Sequence, residues 1–97
     1  MLVKLEQDLA RGFAPWREMV LNNQDRLKQH GMRMIFAGTA ANDDSKLTVI
    51  IEFDGPEAMA AFRDDADLSK QRADAGALLE TTVMTPMTAD SLQNLPE

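Results

Sequence analysis

The sequence predicts one α+β domain of order βαββαβ, in which a four-stranded antiparallel sheet carries two helices on one face. Three observations predict it. Apolar and polar residues alternate in four separate stretches, the apolar spacing becomes helical after the first and third of these, and a short polar turn separates the second from the third. The length of 97 residues fits a single unit. Residues 1–87 form the expected domain and residues 88–97 a tail, whose Leu92 and Leu95 could dock on a partner subunit.

The first strand covers Leu2 to Gln7, with Val3 and Leu5 on one face and Lys4 and Glu6 on the other. Pro15 suits a first helical position, and Trp16, Met19, Val20 and Leu27 share one stripe until Gly31 supplies a stop. One helix over 14–30 follows. From Met32 to Thr39, Met32, Met34 and Phe36 share a face opposite Arg33, Ile35 and Ala37, which gives the second strand. After a polar turn over 40–45, Leu47, Val49, Ile51 and Phe53 alternate with Thr48, Ile50 and Glu52 in the third.

Pro56 opens the second helical region, with Met59 and Phe62 inward. The run Asp64-Asp65-Ala66-Asp67 interrupts it, and a further turn resumes at Leu68 with Asp67 as N-cap and Gly76 as left-handed stop. In the fourth strand Leu79, Thr81 and Val83 alternate with Leu78, Glu80, Thr82 and Met84, and Pro86 ends central pairing. The result is the ferredoxin-like, split-βαβ plait.

One face of the sheet is uniformly apolar and belongs under the helices. The other mixes Leu2, Ile35, Ile50, Leu78 and Met84 with Lys4, Glu6, Arg33, Glu52 and Glu80. That face is too apolar for water and too charged for a dry core, so a second copy of the chain is expected to cover it, forming a homodimer with a partly polar space between two sheets. Size points the same way, because a chain this short buries only about 60–65% of its unfolded surface and has no Cys for a disulfide. Centring the hairpin on Asn42 and Asp43 sets Phe36 opposite Val49, Ile35 opposite Ile50 and Arg33 opposite Glu52.

Composition excludes several classes of function. Without Cys, and with one His, there is no thiol nucleophile, no iron–sulfur cluster, no Cys-ligated zinc and no site needing two His from one chain. No cofactor or metal is expected. The net charge is -6 and the acid is concentrated in the second half: residues 43–74 hold nine acids against four bases. With no basic cluster or aromatic platform, nucleic acid is excluded as a partner. No apolar run, Val49-Ile50-Ile51 included, is long enough to span a bilayer, and the N-terminus has no apolar signal region, so a soluble cytoplasmic protein is expected, with no membrane partner.

Trp16, Val20 and Gly31, the strand end Ile50-Ile51-Glu52-Phe53-Asp54, the Glu57 to Phe62 helix, Asp67-Leu68 and Ala75-Gly76 together resemble small bacterial domains of the dimeric α+β barrel superfamily, the group of the antibiotic-biosynthesis-monooxygenase-like proteins. The resemblance covers about residues 1–87 and rests on packing positions. It implies two sheets meeting through their helix-free faces. It also implies a range of activities: cofactor-independent quinone-forming monooxygenases, haem-degrading enzymes, stress-responsive proteins and members without assigned activity. The monooxygenases hold a phenolic substrate with Trp, Asn, Arg and sometimes Tyr; this chain has Trp16, Asn22, Asn23 and Arg33 and no Tyr. Haem-degrading relatives need an axial His, for which His30 is the sole candidate.

Two sets of candidate site residues follow. Arg33, Glu52 and Glu80 project from the helix-free face; there Arg33 could stabilise developing negative charge and a carboxylate accept a proton, with Lys4 extending the network. The same charges could simply fix strand register. Trp16, Asn23 and His30 are candidate ligand-binding residues. Trp16 sits on the inner stripe as a core anchor that could also stack on a ligand. Asn23 occupies an inward position where an apolar residue belongs, so its amide must bond either backbone or a bound molecule. His30, in the last helical turn, is also explained by the helix dipole. The acidic run at Asp64–Asp67 lacks the Gly and terminal Glu of a calcium loop and reads as helix capping. The function expected is small-molecule binding in a homodimer; the alternatives are a cofactor-independent monooxygenase or isomerase acting on an aromatic or enolisable compound, and a non-catalytic module.

Overall fold

The computed structural model describes residues 1–97. Its elements are β1 (Leu2–Leu9), α1 (Phe13–Leu21), α2 (Gln24–Gln29), β2 (Met32–Ala40), β3 (Asp43–Phe53), α3 (Pro56–Asp64), α4 (Ala66–Asp74) and β4 (Ala77–Pro86). The four strands form one antiparallel sheet in the order β2-β3-β1-β4. This is the ferredoxin-like plait; the one helix expected over 14–30 is divided in two, and the second helical region breaks within the acidic run, as the sequence predicts. One apolar cluster joins Val3, Leu5, Val49, Ile51 and Phe53 of the sheet to Trp16, Phe62 and Leu68 of the helices. Phe53 and Phe62 meet with ring centroids 6.0 Å apart.

The divisions have local causes. Asn22 and Asn23 end α1: the backbone N–H groups of both donate back to Glu18 and Val20, and α2 restarts at Gln24. The second break is made by Asp65, not Asp67. Its backbone is extended, which α-helix cannot accommodate, and its Oδ1 accepts the Leu68 N–H at 2.9 Å as the N-cap of α4. Gly76 has φ 102, a left-handed conformation that releases the chain from α4 into β4.

Two bulges change which residues face the helices. In β2, Arg33 pairs with Glu52 and Met34 with Ile51, as the alternation predicts, but Ile35 is an extra residue. Beyond it Phe36 pairs with Ile50 and Ala37 with Val49. The expected pairs of Phe36 with Val49 and Ile35 with Ile50 are therefore displaced by one. Phe36 turns to the open face, 56% exposed, with its ring over Gly38, while Ala37 packs on the core. In β4, Met84 pairs with Leu5 and Val83 with Glu6, yet the next paired residue is Leu78, opposite Asp8. Residues 79–82 thus span the single position of Gln7. Thr81 closes this bulge: its hydroxyl accepts the Asp8 N–H at 2.8 Å and donates to the Leu78 carbonyl at 2.6 Å. The bulge also reverses an expectation, leaving Val83 55% exposed on the open face and Met84 against the core.

β1 runs two residues past the expected end and β3 starts at Asp43, four before Leu47, so the hairpin turns tightly at Ala41 and Asn42. Asp44, early in β3, accepts the Phe13 N–H at 3.2 Å and so serves the start of α1, which has no cap of its own. Residues 88–97 form no helix or strand and are exposed. No helix is long and apolar enough to cross a membrane.

Candidate functional site

Between the helices and the sheet lies a chamber of about 30 Å³ lined by fourteen residues, eleven of them apolar. The other three are Gln7, Asn23 and Arg72. Trp16 stands on the same wall.

The elements that place these side chains are plain in the pattern. Gln7 follows Val3 and Leu5 along the inward face of β1 and is only 3% exposed. Its Nε2 donates to the Thr82 hydroxyl in the β4 bulge, while its Oε1 is buried without a hydrogen-bond partner. Trp16, 5% exposed on α1 with Phe13 beside it, has an indole Nε1–H that is likewise buried and unpartnered. Arg72 is four residues, about one turn, after Leu68 on the inner side of α4. Its guanidinium lies 4.9 Å from the Phe62 ring centroid and has neither a carboxylate partner nor a hydrogen bond to the protein; burial alone lowers its pKa.

Asn23 reaches the chamber wall with its amide already committed. Its Nδ2 donates to the Met19 carbonyl and to Gln71 Oε1, each at 2.8 Å. Gln71 in turn donates to Asp67 at 2.9 Å, and Asp67 receives Arg26 at 2.6 Å. These bonds clasp α2 to α4. The Arg26 bond, then the Gln71 bond, hold the Asp67 carboxyl below the usual carboxylate range. His30 belongs to the same clasp and not to the chamber: its Nε2 is 2.7 Å from Asp65 Oδ2. That hydrogen bond, followed by the one from the Leu68 N–H, lowers the Asp65 pKa.

Arg33, Glu52 and Glu80 lie elsewhere. Arg33 and Glu52 occupy the paired register on the open face, with Arg33 Nε 3.8 Å from Glu52 Oε1 and both side chains largely in solvent. Glu80 is in the β4 bulge, and Lys4 pairs with Glu6 at 3.7 Å instead of extending a network to it. A single cavity holding Arg33, Glu52 and Trp16 together is therefore not formed by one protomer. Arg33 does line an open groove of about 560 Å³ between α2 and the β2 edge, and Val20, Leu27, Met32 and Met34 are shared by this groove and the chamber.

Gln7 and Arg72 are the chamber residues that sequence reasoning missed. The signal for Gln7 was its parity with Val3 and Leu5, a polar residue at an inward position. For Arg72 it was the four-residue spacing from Leu68 within an otherwise polar helix.

No family model matches the chain, and no curated protein matches it. Among solved structures, the chain is similar to a Deinococcus radiodurans protein provisionally named an antibiotic biosynthesis monooxygenase, with a TM-score of 0.65, 13% sequence identity and 100% coverage of both chains. At that identity the likeness is one of fold over the whole length.

Proposed function

We propose that the protein binds a small, mainly apolar molecule in the chamber between its helices and sheet, as a homodimer joined through the open faces of two sheets. The observation that carries the binding reading is the pair of orphaned atoms, Trp16 Nε1 and Gln7 Oε1, buried on the wall of one cavity. An unsatisfied buried polar group costs about 1–3 kcal/mol, and one donor and one acceptor on residues lining the same chamber can be satisfied together by a bound molecule that offers the complementary groups. The chamber as it stands has room for about two waters and none for a ring, so a ligand must displace its wall. Met32 and Met34, unbranched and adaptable, separate the chamber from the outer groove and make that wall yielding. The dimer rests on Ile35, Phe36 and Val83, large apolar side chains left exposed on the bulged strands. Arg33, Glu52 and Glu80 would then stand between the sheets and fix their register.

Because Trp16 is the sole tryptophan and there is no tyrosine, intrinsic fluorescence reports on this wall alone. Titration with small phenols is expected to give saturable quenching or a spectral shift. A Trp16 spectrum indifferent to every probe at millimolar concentration would remove the binding reading.

A second reading is oxidation of the bound molecule by oxygen without a cofactor, in which an activated CH₂ becomes C=O and the second oxygen atom leaves as water. The full-length fold likeness to the Deinococcus protein favours it. Oxygen uptake with a bound phenol whose keto tautomer presents such a CH₂, absent in Trp16→Leu, tests it.

A further inference from the structure

We infer that the ligand of this chamber is a small aromatic monocarboxylate, its carboxylate received by the guanidinium of Arg72. The inference rests on the chamber being a binding site and adds the class of molecule it takes.

Arginines that are partly buried in folded proteins normally face a carboxylate, a carbonyl or a phosphate, because the guanidinium carries five donors and a charge that water solvates less well there. The other half-buried charges of this helical layer obey that rule: Arg26 reaches Asp67 and Asp65, and His30 reaches Asp65. Arg72 does not. It has the Phe62 ring and no acceptor, although the chain carries 16 acidic residues and Asp67 and Asp74 lie on the same short helix. Asp67 is taken by Arg26 and Gln71, and Asp74 by Lys70. Arg72 thus lines the same chamber as the two orphaned buried polar atoms and keeps its guanidinium fork open to an anion.

The lining decides which anion. One arginine among eleven apolar residues balances a single negative charge, not the two of a phosphate monoester. Its planar fork matches two coplanar oxygens, as a carboxylate offers, better than the one oxygen of a phenolate. At neutral pH a carboxylic acid is ionised whereas a phenol, near pKa 10, is not. The Trp16 indole and the Phe62 ring suit a flat apolar body, and the unpartnered Gln7 Oε1 leaves an acceptor for a ring hydroxyl. The outer groove carries Lys28 and Arg33 as well as Asp25, a net positive mouth on a chain of net charge -6.

The test compares 4-hydroxybenzoate with 4-methylphenol, which differ by a carboxylate in place of a methyl group, by titrating the fluorescence of Trp16 in the wild-type protein and in Arg72→Met. The expected result is at least about ten-fold tighter binding of 4-hydroxybenzoate by the wild type, matching a charge-assisted hydrogen bond. In Arg72→Met that preference is lost, so that the two probes bind with similar affinity. Equal affinity for the two probes in the wild type, or a preference that survives in Arg72→Met, would overturn the carboxylate assignment while leaving the binding site in place. Silence from both probes would overturn the site and the assignment together. If circular dichroism shows Arg72→Met to be unfolded, Arg72→Gln takes its place with the same expectation.

Discussion

His30 Nε2 lies 2.7 Å from Asp65 Oδ2 and so ties the end of α2 to the residue that caps α4. Asp65 is the hub of the helical layer: it accepts the Leu68 N–H, faces His30, and lies 3.8 Å from Arg26 Nε. With its pKa lowered by these bonds, the folded state holds the ionised form more tightly than the unfolded chain does. The stability this supplies is complete above the unfolded value of about 3.9 and disappears as the pH falls through the lower folded value. Melting temperature is therefore expected to drop steeply on acidification below about pH 4, and Asp65→Asn, which keeps the cap, should show a shallower fall over that window. An identical acid limb in the variant would contradict this role. Asp65→Ala, which also removes the cap, should cost about 1 kcal/mol at neutral pH.

Gln7→Leu should leave stability within about 1 kcal/mol of the wild type or raise it, because an orphaned buried carbonyl is replaced by an apolar group of similar length. Binding of a hydroxylated probe should weaken. Urea denaturation and Trp16 fluorescence titration read the two effects separately, and a loss of several kcal/mol would show that the Thr82 bond, not the chamber, explains the glutamine.

Arg33→Met removes one partner of a pair that is mostly in solvent. Surface pairs contribute about 0–1 kcal/mol, so the melting temperature of a dilute monomer should hardly move. A larger loss confined to concentrations at which the protein is dimeric would place the pair inside the interface.

Phe36→Glu puts a charge on the open face, on the edge strand β2. Sedimentation equilibrium is expected to give a dimer for the wild type at micromolar concentration and a monomer for the variant. A wild-type monomer would dismiss the paired-sheet arrangement.

Gly76→Ala should cost more than about 1 kcal/mol. The residue has φ 102, and an added Cβ would stand 3.0–3.1 Å from Arg11 atoms, backbone nitrogen included. Chemical denaturation measures the loss; an unchanged midpoint would mean that the α4–β4 junction relaxes freely.

The order of elements, the antiparallel sheet, the inward faces of β1 and β3 and the pairing of Arg33 with Glu52 were all legible in the sequence, because alternation and helical spacing follow directly from backbone geometry and long stretches of either are hard to mistake. Register beyond Ile35 was not. A bulge leaves no compositional mark, and with period-two alternation an odd number of extra residues, one in β2 and three in β4, reverses every later side chain, which is why Phe36 and Val83 point outward and Ala37 and Met84 inward. The candidate site divided in the same way. Trp16 and Asn23 could be placed on the inner stripe from their spacing, but whether Asn23 held a ligand or a neighbouring helix depended on Gln71, forty-eight residues away. Sequence periodicity reports which face a residue occupies. Which polar groups find partners there is a matter of tertiary contact, and only the folded chain brings Gln7, Trp16 and Arg72 to one chamber, with Gln7 Oε1 and Trp16 Nε1 left unpartnered.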